Sequence, residues 1–282
     1  MKHPACRFCE SANTVRAGWR YNRFERKQRW LCKTRRRRFV PDDGTLGLWY
    51  PKSVVAQAVD IHFEDLSTRA AERHFKRHHP RWQPSWTSIW RWAQRFGELL
   101  RGVLRKLGLL LTGKWCADEM HVRVGGDGWD WEVMHADTRL WLAGEISEGW
   151  QHTAEQAERV LGEALTNAGA RPSVLSTDGL QAYREGGKWL LGWRRCELQQ
   201  HLHYREGLPK TNLMERKIQT TRMRVKTMRG FKRGETGQRW LDGFRAFYNF
   251  VRPHMAFGTT PITAAGIKLH LGRNTWLRLL SL

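Results

Sequence analysis

From Lys114 to Val124 the chain alternates with the period of a β-strand: in KWCADEMHVRV, Cys116, Asp118, Met120, Val122 and Val124 share one face. Glycines at 125, 126 and 128 predict a hairpin turn, and Trp129–Ala136 and Leu140–Ile146 predict two further strands. The period then changes to that of a helix over Thr153–Asn167. Gly169 and Pro172 lead into a short strand, Ser173–Thr177, followed by a turn or helix at Leu180–Leu190 and a strand near Glu197–His201. Upstream, Lys52–Phe63 is helical in period. Ser67 or Thr68 caps a second helix that ends at His78-His79-Pro80, and Pro84-Ser85 opens a third over Trp86–Leu100. Pro41-Asp42-Asp43-Gly44 reads as a turn or linker.

The longest predicted helix, Thr211 to Phe231, starts with Thr211 or Asn212 as cap and has Gly230 after its last turn. Met214, Ile218, Val225 and Met228 form its apolar stripe. Glu215, Gln219, Arg222, Lys226 and Arg229 form a neighbouring face with a single carboxylate, and Arg216 to Arg233 holds eight Lys/Arg and no Asp/Glu. Two readings of Glu215 stand side by side: a solvated partner of Lys217 or Gln219, or one metal-binding oxygen beside a polyphosphate chain.

Asp118 falls on the apolar side of its strand, where a bare carboxylate is costly and a metal ligand is at home. Glu119 is expected on the opposite face, which makes it the weaker candidate. Asp178 follows the fourth strand, at the edge where α/β sheets place their sites. Three antiparallel strands, a helix, a strand, a helical turn, a strand and the Glu215 helix give the order of a ribonuclease H-like core, an α/β fold with a mixed five-stranded sheet and helices. In that order Asp118, Asp178 and Glu215 can converge.

Charge changes the picture further. The 282 residues carry 49 Lys+Arg against 27 Asp+Glu, a net +22, which predicts an anionic partner, most often nucleic acid. Hydrophobic residues at 40% are an ordinary globular share, and no apolar run is long enough for a membrane span. With no apolar leader in MKHPACRFCE, a cytoplasmic protein is expected. Five cysteines do not make a disulfide framework. Cys6 and Cys9 form half of a zinc knuckle. The other half offers Cys32 but Arg35 in place of a fourth Cys, so either His3 completes the site or the module has lost its metal. The hairpin-like stretch between the halves and the block Arg35–Phe39 suit phosphate contact. Residues 1–45 thus read as a basic zinc-ribbon-like module. Residues 46–112 read as a helix-turn-helix, with Arg69, Arg91 and Arg95 among its DNA contacts, or as a plain helical bundle. His74, His78 and His79 lack a carboxylate or Cys at ligand spacing and read as surface residues.

The stretches WCADEMHVRV, VLSTDGLQAY, NLMERKIQTTRMRVKTMRGF and FYNFVRPHMAFGTTP, in this order, resemble DDE transposases of prokaryotic insertion sequences, closest to insertion-sequence family six and its relatives. The resemblance covers about residues 46–265. Thirty-six residues separate Asp178 from Glu215, which fits the family's interval, and Arg222 stands where the family has a basic residue seven positions after the Glu. Cys6, Cys9 and Cys32 resemble the zinc ribbon that some relatives carry, and Arg35 departs from it. The resemblance implies a DDE catalytic domain over 113–252 with a C-terminal tail over 253–282. It implies two Mg²⁺ or Mn²⁺ ions, with Asp118 bridging both, Asp178 on one and Glu215 on the other. Arg222, Lys226 and Arg229 would grip the DNA backbone. The implied activity is cleavage at terminal inverted repeats and strand transfer into target DNA by a homodimer or higher oligomer. A DNA-binding regulator that no longer cuts, and an integrase or nuclease of the same fold, are the alternatives.

Overall fold

The computed structural model describes residues 3–21, 26–41, 49–200, 212–269 and 275–280. The turn expected at Asp42–Gly44 and the cap expected at Thr211 lie outside the described residues, as does the side chain of Asn212.

Three strands, β1 (Thr14–Tyr21), β2 (Arg26–Cys32) and β3 (Arg37–Phe39), form an antiparallel sheet at the N-terminus. Its small core is Cys6, Trp30, Cys32 and Phe39, with Cys9 packed against it. Three helices follow: α1 (Lys52–Phe63), α2 (Thr68–His78) and α3 (Trp86–Leu100). Ser67 caps α2 by accepting from the Ala70 N–H at 3.2 Å, and Ser85 caps α3 by accepting from the Ser88 N–H at 3.3 Å. These are the caps that the sequence predicts.

The central sheet is built from β4 (Lys114–Val124), β5 (Gly126–His135), β6 (Trp141–Glu148), β7 (Val174–Thr177) and β8 (Glu197–Gln200). Its spatial order is β6-β5-β4-β7-β8. The first three strands pair antiparallel, and β7 and β8 run parallel to β4. Helices α4 (Ala154–Ala168) and α5 (Gln181–Leu191) cover one face, while α6 (Asn212–Met228) and α7 (Gly234–Ala246) cover the other. This is the ribonuclease H-like arrangement. A reciprocal cap starts α4: Thr153 Oγ1 accepts from the Gln156 N–H, and Gln156 Oε1 accepts from the Thr153 N–H.

Two boundaries differ from the expected ones. The turn between β4 and β5 is narrower than four residues, because the strands pair as far as Val124↔Gly126 and Gly125 alone, at φ 68°, reverses the chain. His121 Nε2 and Asp127 Oδ1, 2.8 Å apart, tie the two strands near this turn. Helix α6 stops at Met228. Phe231, expected at its end, instead pairs with Val124, its N–H donating to the Arg123 carbonyl at 2.7 Å.

The helical segment does not stand apart from the sheet. Helix α3 lies on α7 so closely that a Cβ on Gly97 would sit 1.7 Å from the Arg239 carbonyl oxygen. Phe63 of α1 stacks with Phe244 and Phe247, and Trp276 from the C-terminal segment packs on Phe63 and Phe96. One hydrophobic core therefore runs through residues expected in three separate segments.

Candidate active site at the carboxyl edge of the central sheet

Parallel pairing sets the site. Cys116 of β4 pairs with Ser176 of β7, so two residues further on Asp178 comes level with Asp118, just where β7 ends. Asp178 Oδ1 accepts from the Leu180 N–H at 3.1 Å, which turns the chain into α5 and fixes the carboxylate at the edge. Asp118 Oδ1 accepts from the Glu119 N–H at 2.9 Å.

Glu119 joins them, contrary to the expectation that its place on the other face would keep it away. Carboxylate oxygens of Asp118, Glu119 and Asp178 lie within 4.8 Å of one another. Glu119 does leave its strand on the opposite side, beside α5, where the Tyr183 hydroxyl donates to it at 3.1 Å. β5 still pairs with β4 at this level, but β7 has already ended on the other side, and both side chains reach that open edge. His152 Nε2 stands 3.7 Å from Glu119. The signal available in sequence was the pairing of two carboxylates at the point where a strand leaves its neighbour.

Crowding of negative charge shows in the titration of the group. Burial, reinforced by Asp178, Glu132 and Glu215, pushes the Asp118 carboxyl up to about 7. Burial, then Asp178 and Asp118, pushes Glu119 up to about 8. No Lys or Arg forms an ion pair with these two carboxylates among the described residues. An all-oxygen donor set short of positive charge fits a hard divalent cation such as Mg²⁺ or Mn²⁺.

Glu215 occupies the first turn of α6, exposed and outside that cluster, yet near enough for its charge to act on Asp118. What holds α6 in this register is a buried polar pair missed in the sequence. Glu132 of β5 pairs directly with Asp118, so both face α6. Its carboxylate receives the Lys217 ammonium on one oxygen and the Thr221 hydroxyl, at 2.8 Å, on the other. Lys217 Nζ also donates to Thr221 at 2.9 Å and lies 2.9 Å from the centre of the Trp141 ring. Both charged side chains are almost wholly excluded from water, at 1% and 0% exposure. Lys217 and Thr221 fall at helical spacing from Met214, in the apolar stripe, and Glu132 and Asp130 alternate on the inner face of β5. Charges at apolar periods were the available signal. Beside them Asp130, with both oxygens unpartnered, is driven well above the ordinary range by burial and by Glu132.

The other end of α6 is fastened as well. Arg229 at φ 61° and Gly230 at φ 87° turn the chain, and a Cβ on Gly230 would lie 2.5 Å from the Arg123 carbonyl oxygen. Arg224, one of the eight Lys/Arg between Arg216 and Arg233, is buried and donates to the His62 carbonyl, with Asp65 at 3.1 Å. Arg222, Lys226 and Arg229 are exposed, as expected. With Arg123 they line a groove of about 370 Å³ between β4 and α6 that has no carboxylate in its lining. Arg69 and Arg91 are exposed on α2 and α3, and Arg95 is half-buried.

In the N-terminal module the sulfurs of Cys6, Cys9 and Cys32 lie within 4.8 Å of one another. Glu10 and Arg36, the residues that follow the two half-knuckles, both have positive φ, 57° and 53°. The second half-knuckle thus keeps its shape with Arg35 at the fourth ligand's place, its N–H donating to Cys32 Sγ at 3.4 Å. His3 does not complete the set: its Nδ1 is bonded to the Thr14 carbonyl at 2.7 Å and its ring packs on Trp30. Three thiols without a fourth donor among the described residues do not fit a closed structural zinc site.

No helix among the described residues is long and apolar enough to cross a membrane. No curated protein sequence matches the chain. Among solved structures, a chain of the simian T-cell lymphotropic virus intasome, in complex with PP2A regulatory subunit B56 gamma, is 14% identical with a TM-score of 0.42, over 57% of this chain and 57% of that one. The HTLV-2 integrase catalytic core domain in complex with magnesium is 14% identical with a TM-score of 0.32, over 57% of this chain and 99% of that one. The Drosophila P element transposase in a strand transfer complex is 14% identical with a TM-score of 0.34, over 52% of this chain and 37% of that one. This chain thus spans little more than half of the intasome chain and about a third of the P element transposase. A family model described as a DDE domain, of the IS240 transposase type, matches residues 112–254, just over half of the sequence and the whole stretch from β4 past Glu215. The chain belongs to this DDE transposase family of the insertion-sequence type.

Proposed function

We propose that the chain is an insertion-sequence transposase that binds the terminal inverted repeats of its element, frees their 3′ ends and joins them to target DNA. The observation that carries this reading is the meeting of Asp118 and Asp178 at one sheet edge, with Glu215 acting on Asp118 from a helix whose exposed face is otherwise cationic. Asp118, Asp178 and Glu215 would hold two divalent cations, Mg²⁺ or Mn²⁺. When bound, such ions supply activation of the attacking oxygen and stabilisation of the leaving one, so no dedicated protein base is required.

The chain's own residues do the rest. Arg222, Lys226 and Arg229 lie along the same helix side as Glu215 and, with Arg123 of β4 facing them, offer cations to successive phosphates of the bound strand. The Lys217–Glu132–Thr221 contacts hold the helix that carries Glu215 against the strands that carry Asp118 and Glu132. Tyr183 holds Glu119 to the side, where burial and the carboxylates of Asp178 and Asp118 push the Glu119 carboxyl up to about 8. Arg69, Arg91 and Arg95 on α2 and α3 would recognise the element's ends, with two or more protomers pairing those ends.

A strand-transfer assay on a pre-cut element end tests the proposal. Asp118→Ala, Asp178→Ala and Glu215→Ala are each expected to abolish joining while end binding persists, because metal ligands act on the transition state. Joining by Glu215→Ala at near the wild-type rate in Mg²⁺ would contradict it. End binding with no joining by the wild-type chain would favour the silent regulator.

A further inference from the structure

Where α6 meets the helical segment, a cavity of about 660 Å³ opens that the catalytic reading does not use. Its size falls in the roughly 300–1,000 Å³ range of sites that enclose one small-molecule-sized group. It is too small for a duplex. Arg69, Arg229, Lys232 and Arg233 line it, together with Trp86 and Trp90, and no carboxylate does. Trp86 is 37% exposed, and the Arg69 guanidinium lies 4.7 Å from its ring centre. Ser67, Thr68 and Arg69, at the N-terminal end of α2, line one side and add the positive end of that helix to the charge.

Cations for a phosphate beside flat aromatic faces for a base are the two halves of a single-strand nucleotide site. The position of the cavity says which strand. Arg229 and Gly230 line both it and the groove of Arg222 and Lys226, so the cationic track beside Glu215 runs into it. From Glu215 to Arg229 along α6 is about 20 Å at ~1.5 Å per residue. At ~3.4 Å per nucleotide this is about six positions.

We infer that this cavity takes one unpaired nucleotide of the DNA strand held at the active site, about six positions from the cut, with its base on Trp86 and its phosphate among Arg69, Lys232 and Arg233. The inference rests on the reading of the chain as a DNA-processing transposase and adds an unpaired-strand site to it. Because Trp86 stands on α3 and Met228 and Arg229 close α6, an occupied cavity also joins the helical segment to the catalytic helix.

The test uses the full chain and a hairpin duplex, either blunt or extended by a ten-nucleotide thymidine tail carrying 2-aminopurine at each tail position in turn. Tailed DNA is expected to bind more tightly than blunt DNA by about 5- to 150-fold, the range for one base stacked on an aromatic side chain. One tail position is expected to show quenched fluorescence. Trp86→Ala, a change at an exposed position, is expected to bring tailed affinity down to the blunt value. Arg233→Gln is expected to keep the quenched position and reduce the salt slope of tailed binding by about one. Equal affinity for tailed and blunt DNA, or a tail preference that survives Trp86→Ala, overturns the inference while leaving the proposed function standing. Failure to bind either DNA overturns both.

Discussion

Glu132→Gln removes the carboxylate that receives Lys217 and Thr221, and with it the counter-ion in direct contact with an ammonium at 1% exposure. Taking one partner from a buried ion pair costs about 3–5 kcal/mol, because the remaining charge has neither water nor a counter-ion. Lys217 has one escape: burial already lowers it to about 8, so without Glu132 it sheds its proton near neutral pH, which places the cost toward the lower end of that range. Lys217→Met strands Glu132 next to Asp130 and is expected to cost a similar amount. The double variant Glu132→Gln/Lys217→Met leaves no buried charge in the pair and is expected to recover most of the loss. Urea unfolding of the four proteins closes the cycle, with a coupling of at least about 2 kcal/mol expected. Strand transfer by the stable double variant reads the second consequence, since α6 has lost the contact that sets Glu215 against Asp118. Its turnover is expected to fall while DNA affinity holds. Single variants costing under about 1 kcal/mol each, or effects that simply add, would refute the reasoning.

His62, whose Nε2 accepts from Trp240 and whose Nδ1 bonds the Leu66 carbonyl, is lowered by burial from 6.5 to about 4. A histidine that stays neutral in the fold gives stability that is whole above pH 6.5 and is lost as pH falls toward 4, here about 3 kcal/mol. Urea midpoints from pH 7 to 4 should therefore fall more steeply for the wild type than for His62→Gln, and parallel curves would count against it. Gly230→Ala meets both a φ of 87° and the Arg123 carbonyl, so it should cost more than about 2 kcal/mol by thermal or urea unfolding. A neutral outcome would show that the α6–β4 junction relaxes freely. Metal analysis of purified protein should find less than one zinc per chain, because Arg35 replaces the fourth ligand. One tightly held zinc, lost on Cys9→Ser, would point to a donor beyond the three thiols.

Much of the architecture was legible because local signals and tertiary packing agree. Ser67, Ser85 and Thr153 cap helices where hydrophobic periods begin, and the alternation through Met120, Val122 and Val124 is the buried face of β4. Strand order followed from element order. What stayed hidden depends on contacts between distant segments. Glu119 is on the far face of its strand by period, and only the early end of β7 lets it reach Asp118 and Asp178. Lys217 and Arg224 read as part of a solvated cationic run, yet Glu132 draws one inward and the His62 carbonyl with Asp65 draws the other. Nothing local in the C-terminal segment indicated that Trp276 would close the core over Phe63 and Phe96.

The central claim, that Asp118, Asp178 and Glu215 form a divalent-metal site on this fold, is tested most directly by anomalous diffraction from crystals of the chain with cut DNA and Mn²⁺. The account predicts manganese within about 2–2.6 Å of oxygens from Asp118 and Asp178, with Glu215 completing the set and Glu119 remaining on Tyr183. Manganese held by Glu119 and Asp178 with Glu215 turned away, or no manganese at this edge, would contradict it.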